Sequence, residues 1–272
     1  MTPPLIPVNK VAQTQLGSPR SETLAELERT QFGAVHAVNK VAQTQLGSPR
    51  SETLAELERT PFDGVKHRIG VLALQGAVSE HADMLSTLGA EVSLVRTPAQ
   101  LDGLDGLVMP GGESTAIARL AAPMGLLRAI RARLDGGDFG VLGTCAGLIL
   151  LSDDIAEPGA LAGFDRVGGL DVLVERNGYG GQLASFEADV ECAAEDFEVG
   201  TDSAATTSHV AFIRAPIIRR VGAGVRVVAT HQGNPVAVAS GRIVAAAYHP
   251  EITGDLALHR YFLRTLGVSS SV

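Results

Sequence analysis

The sequence has no tryptophan, aromatic residues make up only 4% of it, and cysteine occurs twice in 272 residues. So thin a supply of aromatic faces excludes the stacking platforms that hold single-stranded nucleic acid. A net charge of −8 argues the same way, because a phosphate-binding surface needs an excess of Lys and Arg. Cys145 and Cys192 cannot build a disulfide scaffold, which points to a reducing, cytoplasmic setting. Long apolar runs are missing too. The longest, Phe139–Leu151, is 13 residues with three Gly and a Thr, too short to span a bilayer. The first 30 residues lack the apolar stretch of a signal peptide. Signatures of cofactors and metals are absent as well: no G-x-G-x-x-G, no G-x-x-x-x-G-K-[ST], no H-E-x-x-H and no paired-cysteine spacing. The expectation is a soluble, cytoplasmic protein with no metal site, no nucleic-acid partner and no membrane partner.

What is present begins with a duplication. Val8–Thr30 recurs without a change as Val38–Thr60. Solenoid repeats diverge and stack in at least three copies, so two perfect copies point instead to a recent duplication, or to a start site placed upstream of the real one. Each copy carries one helix signal, with Ser18 or Ser48 as N-cap and Pro19 or Pro49 behind it. Residues 1–66 hold seven Lys/Arg and seven Asp/Glu, so the whole net charge belongs to residues 67–272. The reading is a loosely structured extension over 1–66, disordered or weakly helical, with a partner-binding helix pair as the alternative, and a globular domain over 67–272.

From His67 onward, strands alternate with helices. Arg68–Leu74 is a short apolar run that reads as a buried strand, and Glu91–Val95, Leu104–Met109 and Phe139–Gly143 read as further strands. Val78, Ala82 and Leu85 recur at helical spacing, and residues 114–135 read as a helix broken near Ala122-Pro123. Further strands are read at Leu170–Glu175, His209–Ile213, Val225–Thr230, Pro235–Ala239 and Arg242–Tyr248, before a last helix near Asp255–Leu266. This alternation predicts an α/β fold, a mainly parallel sheet with helices on both faces. The run of strands after residue 170 predicts an antiparallel edge or flap added to it.

Three motifs carry chemistry. Gly143-Thr144-Cys145-Ala146-Gly147 joins an apolar strand to a helix, the pattern of a nucleophile elbow. The Ala146 backbone N–H would then face a developing oxyanion. Taken alone, Cys145 is equally well a small buried thiol. His249-Pro250-Glu251 ends an apolar strand, and positions two apart on a strand face one side, so one residue could serve as base and the other orient it. Pro110-Gly111-Gly112-Glu113-Ser114 follows a strand and offers backbone N–H groups for an oxyanion or a carboxylate.

Together, in the chain order Gly-Gly-Glu-Ser, G-x-C-x-G, His-Pro-Glu, these motifs make residues 67–272 resemble the class I (triad) glutamine amidotransferases. Within them the similarity is to the glutaminase subunit of pyridoxal 5′-phosphate synthase. The narrowing segments are Gly70–His81, Pro110–Thr115, Gly143–Ile149, Glu175–Gly178 with Ser185-Phe186-Glu187, Phe212–Pro216 and Tyr248–Glu251. The resemblance implies that Cys145 is the nucleophile, His249 its base and Glu251 the charge-relay acid. It implies glutamine binding by Gly112, Glu113, Ser114, Arg176, Ile213 and Arg214, and an oxyanion site at Gly112 and Ala146. Without it, Arg176 and Arg214 would pass for ordinary surface arginines. The implied partners are L-glutamine and the synthase subunit, which would receive ammonia in a hetero-oligomer and activate the glutaminase on docking. No cofactor is implied. One departure stands out: where the family often has Arg, Tyr179-Gly180-Gly181-Gln182 has Gly181. Cys192 lies in an acidic stretch without an elbow and reads as non-functional. Rival readings are a free-standing γ-glutamyl or related thiol hydrolase of the same fold, separated by whether ammonia escapes, and a non-catalytic regulatory module, whose mark would be a missing Cys, His or Glu.

Overall fold

The computed structural model describes residues 66–176, 178, 185–193 and 206–267. Both copies of the repeat and the Tyr179–Gln182 segment with Gly181 lie outside the described residues.

Five strands form the parallel half of a nine-stranded sheet: β1 (Arg68–Leu72), β2 (Glu91–Val95), β3 (Gly106–Met109), β4 (Gly140–Thr144) and β12 (Ile243–Ala246). The sheet continues antiparallel through β11 (Asn234–Ser240), β10 (Arg226–His231), β7 (Phe186–Cys192) and β8 (Thr206–Phe212), in the order β2-β1-β3-β4-β12-β11-β10-β7-β8. A separate three-stranded sheet holds β5 (Ser152–Ile155), β6 (Leu170–Glu175) and β9 (Ile217–Val221).

The central strands read as unbroken apolar runs because both of their faces are buried. Leu107, Met109, Val141 and Ala245 point into one core, where α2 (Ser114–Ala121), α3 (Leu126–Asp135) and α4 (Ala146–Leu151) supply Ile117, Leu127, Ile130 and Leu148. The alternate residues Val108, Leu142, Val244 and Ala246 point into the other. There Leu85 of α1 (Val78–Thr87) and Phe262, Leu263 and Leu266 of α6 (Ala257–Gly267) pack. The expected α/β layering therefore stands, with helices on both faces. Between α2 and α3 the chain makes a 3-10 turn over Ala122–Met124, and Gly125 takes a left-handed backbone, φ 62°. Pro123 has no N–H to continue the helix, which is why the predicted break falls there.

Strand registers set up the site. Met109 pairs with Gly143, and Gly143 with Ala245, so β3, β4 and β12 end level with one another. The loops leaving them emerge side by side at the carboxyl edge of the parallel strands, where open α/β sheets bind ligands. Several predicted bounds shift: β3 starts at Gly106 rather than Leu104, β8 runs from Thr206 and stops at Phe212, and Ile213 lies in the turn that follows.

Candidate active site

At the end of β4 the backbone of Cys145 turns to φ 47°, ψ −97° before α4 begins. Such a conformation costs a non-glycine residue about 1–3 kcal/mol and persists only where the surroundings impose it. Here the Cys145 N–H donates to the Ala246 carbonyl at 2.8 Å, and its own carbonyl accepts from the Ile149 N–H at 3.2 Å. The flanking glycines are required by crowding. A Cβ on Gly143 would lie 2.6 Å from the carbonyl carbon of Gly147, and one on Gly147 would lie 2.3 Å from the Met109 oxygen. Cys145 is 6% exposed, its thiol directed at the Ile213 carbonyl, 3.9 Å away.

His249 follows β12, and its N–H donates to the Ala211 carbonyl of β8 at 2.8 Å. The expected strand geometry does not hold for the next step. Pro250 opens a single helical turn, α5 (Pro250–Thr253), because its fixed φ suits the first helical position. Glu251 therefore sits in a helical turn rather than two places along a strand. The turn still brings the pair together: His249 Nδ1 donates to Glu251 Oε1 at 2.8 Å, with both side chains buried. Burial opposes charge on His249, but Glu251 and then Cys145 outweigh it and hold its pKa well above the ordinary imidazole value. Burial would raise the carboxyl of Glu251, yet His81 and His249 reverse this and keep it well below the ordinary range. A thiol, an imidazole electrostatically coupled to it and a carboxylate on the far ring nitrogen can together perform nucleophilic acyl transfer.

The Gly-Gly loop after β3 lies against the imidazole. A Cβ on Gly111 would meet His249 Cε1 at 2.2 Å, so only glycine allows that approach. Gly112 has φ 153°, and the next N–H, that of Glu113, donates to Gln75 Oε1 at 3.1 Å. Glu113 caps α2, accepting from the N–H groups of Thr115 at 2.9 Å and Ala116 at 2.6 Å. Arg176, one residue past β6, donates to Glu113 Oε1 at 3.3 Å and to the Pro158 carbonyl at 3.1 Å. Ser114 is buried as the first residue of α2, and its hydroxyl finds no partner among the described residues. Ala146 is the buried first residue of α4, and Arg214 is exposed with a left-handed backbone, φ 44°.

The structure thus gathers Cys145 with Ile213, His249 with Glu251 and Gly111, and Glu113 with Arg176. Cys192 is buried on β7, its sulfur 3.6 Å from Ser208 Oγ. Sequence reasoning missed Gln75, His81 and His259. The first two stand inside the Gly70–His81 segment, but nothing in the residues marked what they would touch.

Comparison with known proteins shows the family. The SNO glutamine amidotransferase family matches residues 71–268. A pyridoxal 5′-phosphate synthase subunit PdxT from Mycolicibacterium vanbaalenii is 46% identical over 201 residues, 73% of this chain and 97% of that protein. The PdxT protein of Thermus thermophilus is 44% identical over 200 residues, 74% of this chain and 98% of its own length. A crystal structure of a glutamine amidotransferase superposes with a TM-score of 0.66 at 43% identity, covering 74% of this chain and 99% of that one. A Thermotoga maritima glutamine amidotransferase at 14% identity shares the fold alone, with a TM-score of 0.51, covering 75% of this chain and all 100% of that one. A match running from within β1 to just past the end of α6, with relatives aligned over nearly their full length, leads to one conclusion: the chain belongs to the SNO glutamine amidotransferase family.

Proposed function

We propose that this protein hydrolyses L-glutamine to L-glutamate and ammonia through Cys145, His249 and Glu251, and hands the ammonia to a synthase subunit that builds pyridoxal 5′-phosphate. The carrying observation is the buried His249–Glu251 bond of 2.8 Å beside a cysteine held in an elbow by two glycines without room for a Cβ. Cys145, its thiol proton passed to His249, attacks the side-chain amide carbon. The tetrahedral oxyanion faces the N–H groups of Gly112 and Ala146. His249 then protonates the leaving ammonia, and the γ-glutamyl thioester remains on Cys145. Water, deprotonated by His249, attacks that thioester, and glutamate leaves as the thiol is restored. Glu251 holds the imidazole in the productive orientation and balances its positive charge.

Glutamine is a zwitterion at its α-carbon. Arg176 offers a cation for the α-carboxylate, and Glu113 beside it offers an anion for the α-ammonium. Ser114, Ile213 and Arg214 complete the assigned binding residues. Free ammonia takes up a proton in neutral water and stops being a nucleophile, which favours coupling to a synthase inside a hetero-oligomer. The PdxT relatives carry the name of such a synthase subunit. A catalytic thiol must stay reduced, which favours the cytoplasm. Residues 67–272 form the glutaminase domain in this reading, and residues 1–66 stand outside the chemistry.

Glutamate release measured with and without the synthase subunit tests the assignment. Cys145→Ala should abolish it, while the variant complex still makes product from supplied ammonium salts. Glutamine hydrolysis at the wild-type rate in Cys145→Ala would refute the nucleophile. Ammonia escaping quantitatively to solvent from the intact complex would favour a free-standing hydrolase.

A further inference from the structure

Behind Glu251 lie two histidines that the reaction above does not use. Oε1 of Glu251 is occupied by His249, while Oε2 has no well-formed hydrogen bond among the described residues. The nearest cation-capable group is Nε2 of His81 on α1, 3.5 Å away, with both side chains fully enclosed. The same Nε2 lies 3.3 Å from the hydroxyl of Thr144, the residue before Cys145. On its other side, His81 Nδ1 is 2.8 Å from Nε2 of His259 on α6. His81 and His259 are both 0% exposed. The row His249–Glu251–His81–His259 therefore crosses three helices inside the protein.

The positions of the protons in this row follow from its far end. Nδ1 of His259 is buried without a partner among the described residues. An orphaned buried N–H is the rarer and costlier state, so that nitrogen is bare and the proton sits on Nε2. His259 then donates to His81 Nδ1, which must be an acceptor. The single ring proton of His81 is thereby placed on Nε2, facing Glu251 and Thr144. Burial pushes the pKa of His259 down to about 3, which keeps it neutral and in the role of donor.

We propose that His81 is a positioning residue of the glutaminase reaction, holding the second oxygen of Glu251 from behind while His259 fixes its tautomer. The inference rests on the Cys145–His249–Glu251 reading. A carboxylate tied at one oxygen can swing about its side-chain torsion, and the imidazole would swing with it. A donor at the other oxygen restrains that motion. Neither histidine reaches solvent, so neither touches glutamine, and their loss should appear in kcat rather than KM.

The test uses the full chain with the synthase subunit present, assayed by glutamate release. His81→Gln places an amide nitrogen where Nε2 stood, whereas His81→Asn places it where Nδ1 stood. His81→Asn should lose about tenfold or more in kcat with KM changed less than twofold, and His81→Gln should recover to within about threefold of wild type. His259→Gln, which keeps a donor at the same place, should also stay within about threefold. Activity of His81→Asn within threefold of wild type would overturn the inference. Equal losses in His81→Asn and His81→Gln, with both variants folded by near-UV circular dichroism, would overturn it too, since a packing role does not distinguish the two amides. Should His81→Asn fail to fold, His81→Gln and His81→Met decide: the apolar side chain must be at least tenfold the slower, and equality overturns the proposal. Cys145→Ala runs alongside. If it hydrolyses glutamine at the wild-type rate, the triad reading has failed; if it is silent, a flat His81 series defeats this inference alone.

Discussion

Cys145 and His249 are held by backbone bonds that no side-chain substitution at either position removes: the Cys145 N–H to Ala246 and the His249 N–H to Ala211. Variants there should therefore report chemistry rather than folding. His249→Asn is expected to cost about as much glutaminase activity as Cys145→Ala, because members of a triad act as a unit and their losses do not add. Glu251→Gln keeps an oxygen for His249 Nδ1 but removes the charge, and should cost less. Steady-state glutamate release ranks the three, and a γ-glutamyl adduct on Cys145 seen by intact mass would support the covalent route. These residues were legible in the sequence because each sits in a local pattern: an elbow, a Gly-Gly turn, a His-Pro-Glu. His81 and His259 were not. They meet at 2.8 Å across 178 positions of chain, and no local pattern carries such a contact. Glu113 shows the opposite limit. The sequence marks it, but only the structure shows its carboxylate capping α2 and pairing with Arg176.

At the scale of elements, the strands found by their composition include those buried on both faces, such as β3, β4 and β12, whose every residue is inside. The strands missed are half-solvated or charged. β5 is Ser-Asp-Asp-Ile, β7 alternates Glu and Asp with Ala, Val and Cys, and β9 carries Arg219 and Arg220. Their pairing is decided by long-range partners. Arg220, for instance, bridges Asp171 and Asp154 of the two other strands in its sheet. Periodicity cannot see that. The loop after β3 and the elbow after β4 give a paired prediction. Ala at Gly147 would press on a backbone oxygen of β3 at 2.3 Å, and should destabilise the protein by about 1–3 kcal/mol in urea unfolding. Ala at Gly111 would press on the imidazole edge at 2.2 Å, a side chain that can tilt away. Gly111→Ala should thus stay close to wild-type stability and lose about 100-fold in glutaminase rate, since a misplacement near 1 Å has that effect. A Gly111→Ala variant that remained fully active would mean that the contact with His249 is not part of the working geometry.

For the whole molecule, buried histidines and the enclosed carboxylate set how stability responds to acid. His259 is neutral down to about pH 3 when folded but takes a proton near its ordinary 6.5 when unfolded. Between those values the unfolded chain binds more protons, so stability should fall as pH drops, by at most about 1.4 kcal/mol per unit from this group. Glu251, depressed in the fold, adds to the loss below its ordinary 4.5. His249 has the opposite sign: its raised pKa contributes stability at and below 6.5 that is lost as pH climbs through the folded value. Urea unfolding of wild type and His259→Gln from pH 7 to 4 should show the flatter acid limb in the variant, and parallel limbs would contradict the neutral assignment. The amino-terminal extension asks the last whole-chain question. The family match starts at residue 71, and the Mycolicibacterium relative is covered over 97% of its length while 73% of this chain is used. The extension's charges cancel, so it adds no net electrostatic steering. Its two copies are identical, whereas two distinct functional surfaces would differ. Deleting residues 1–64 should therefore leave glutaminase rate and synthase coupling within about twofold, or ~0.4 kcal/mol. The cut must stop there, because Ile69, Val71 and Leu72 of β1 are buried between two parallel neighbours, and removing that strand would open both cores. Synthase binding is the deciding measurement: a change in affinity of about tenfold or more on deletion, worth ~1.4 kcal/mol, would make the extension part of the interface.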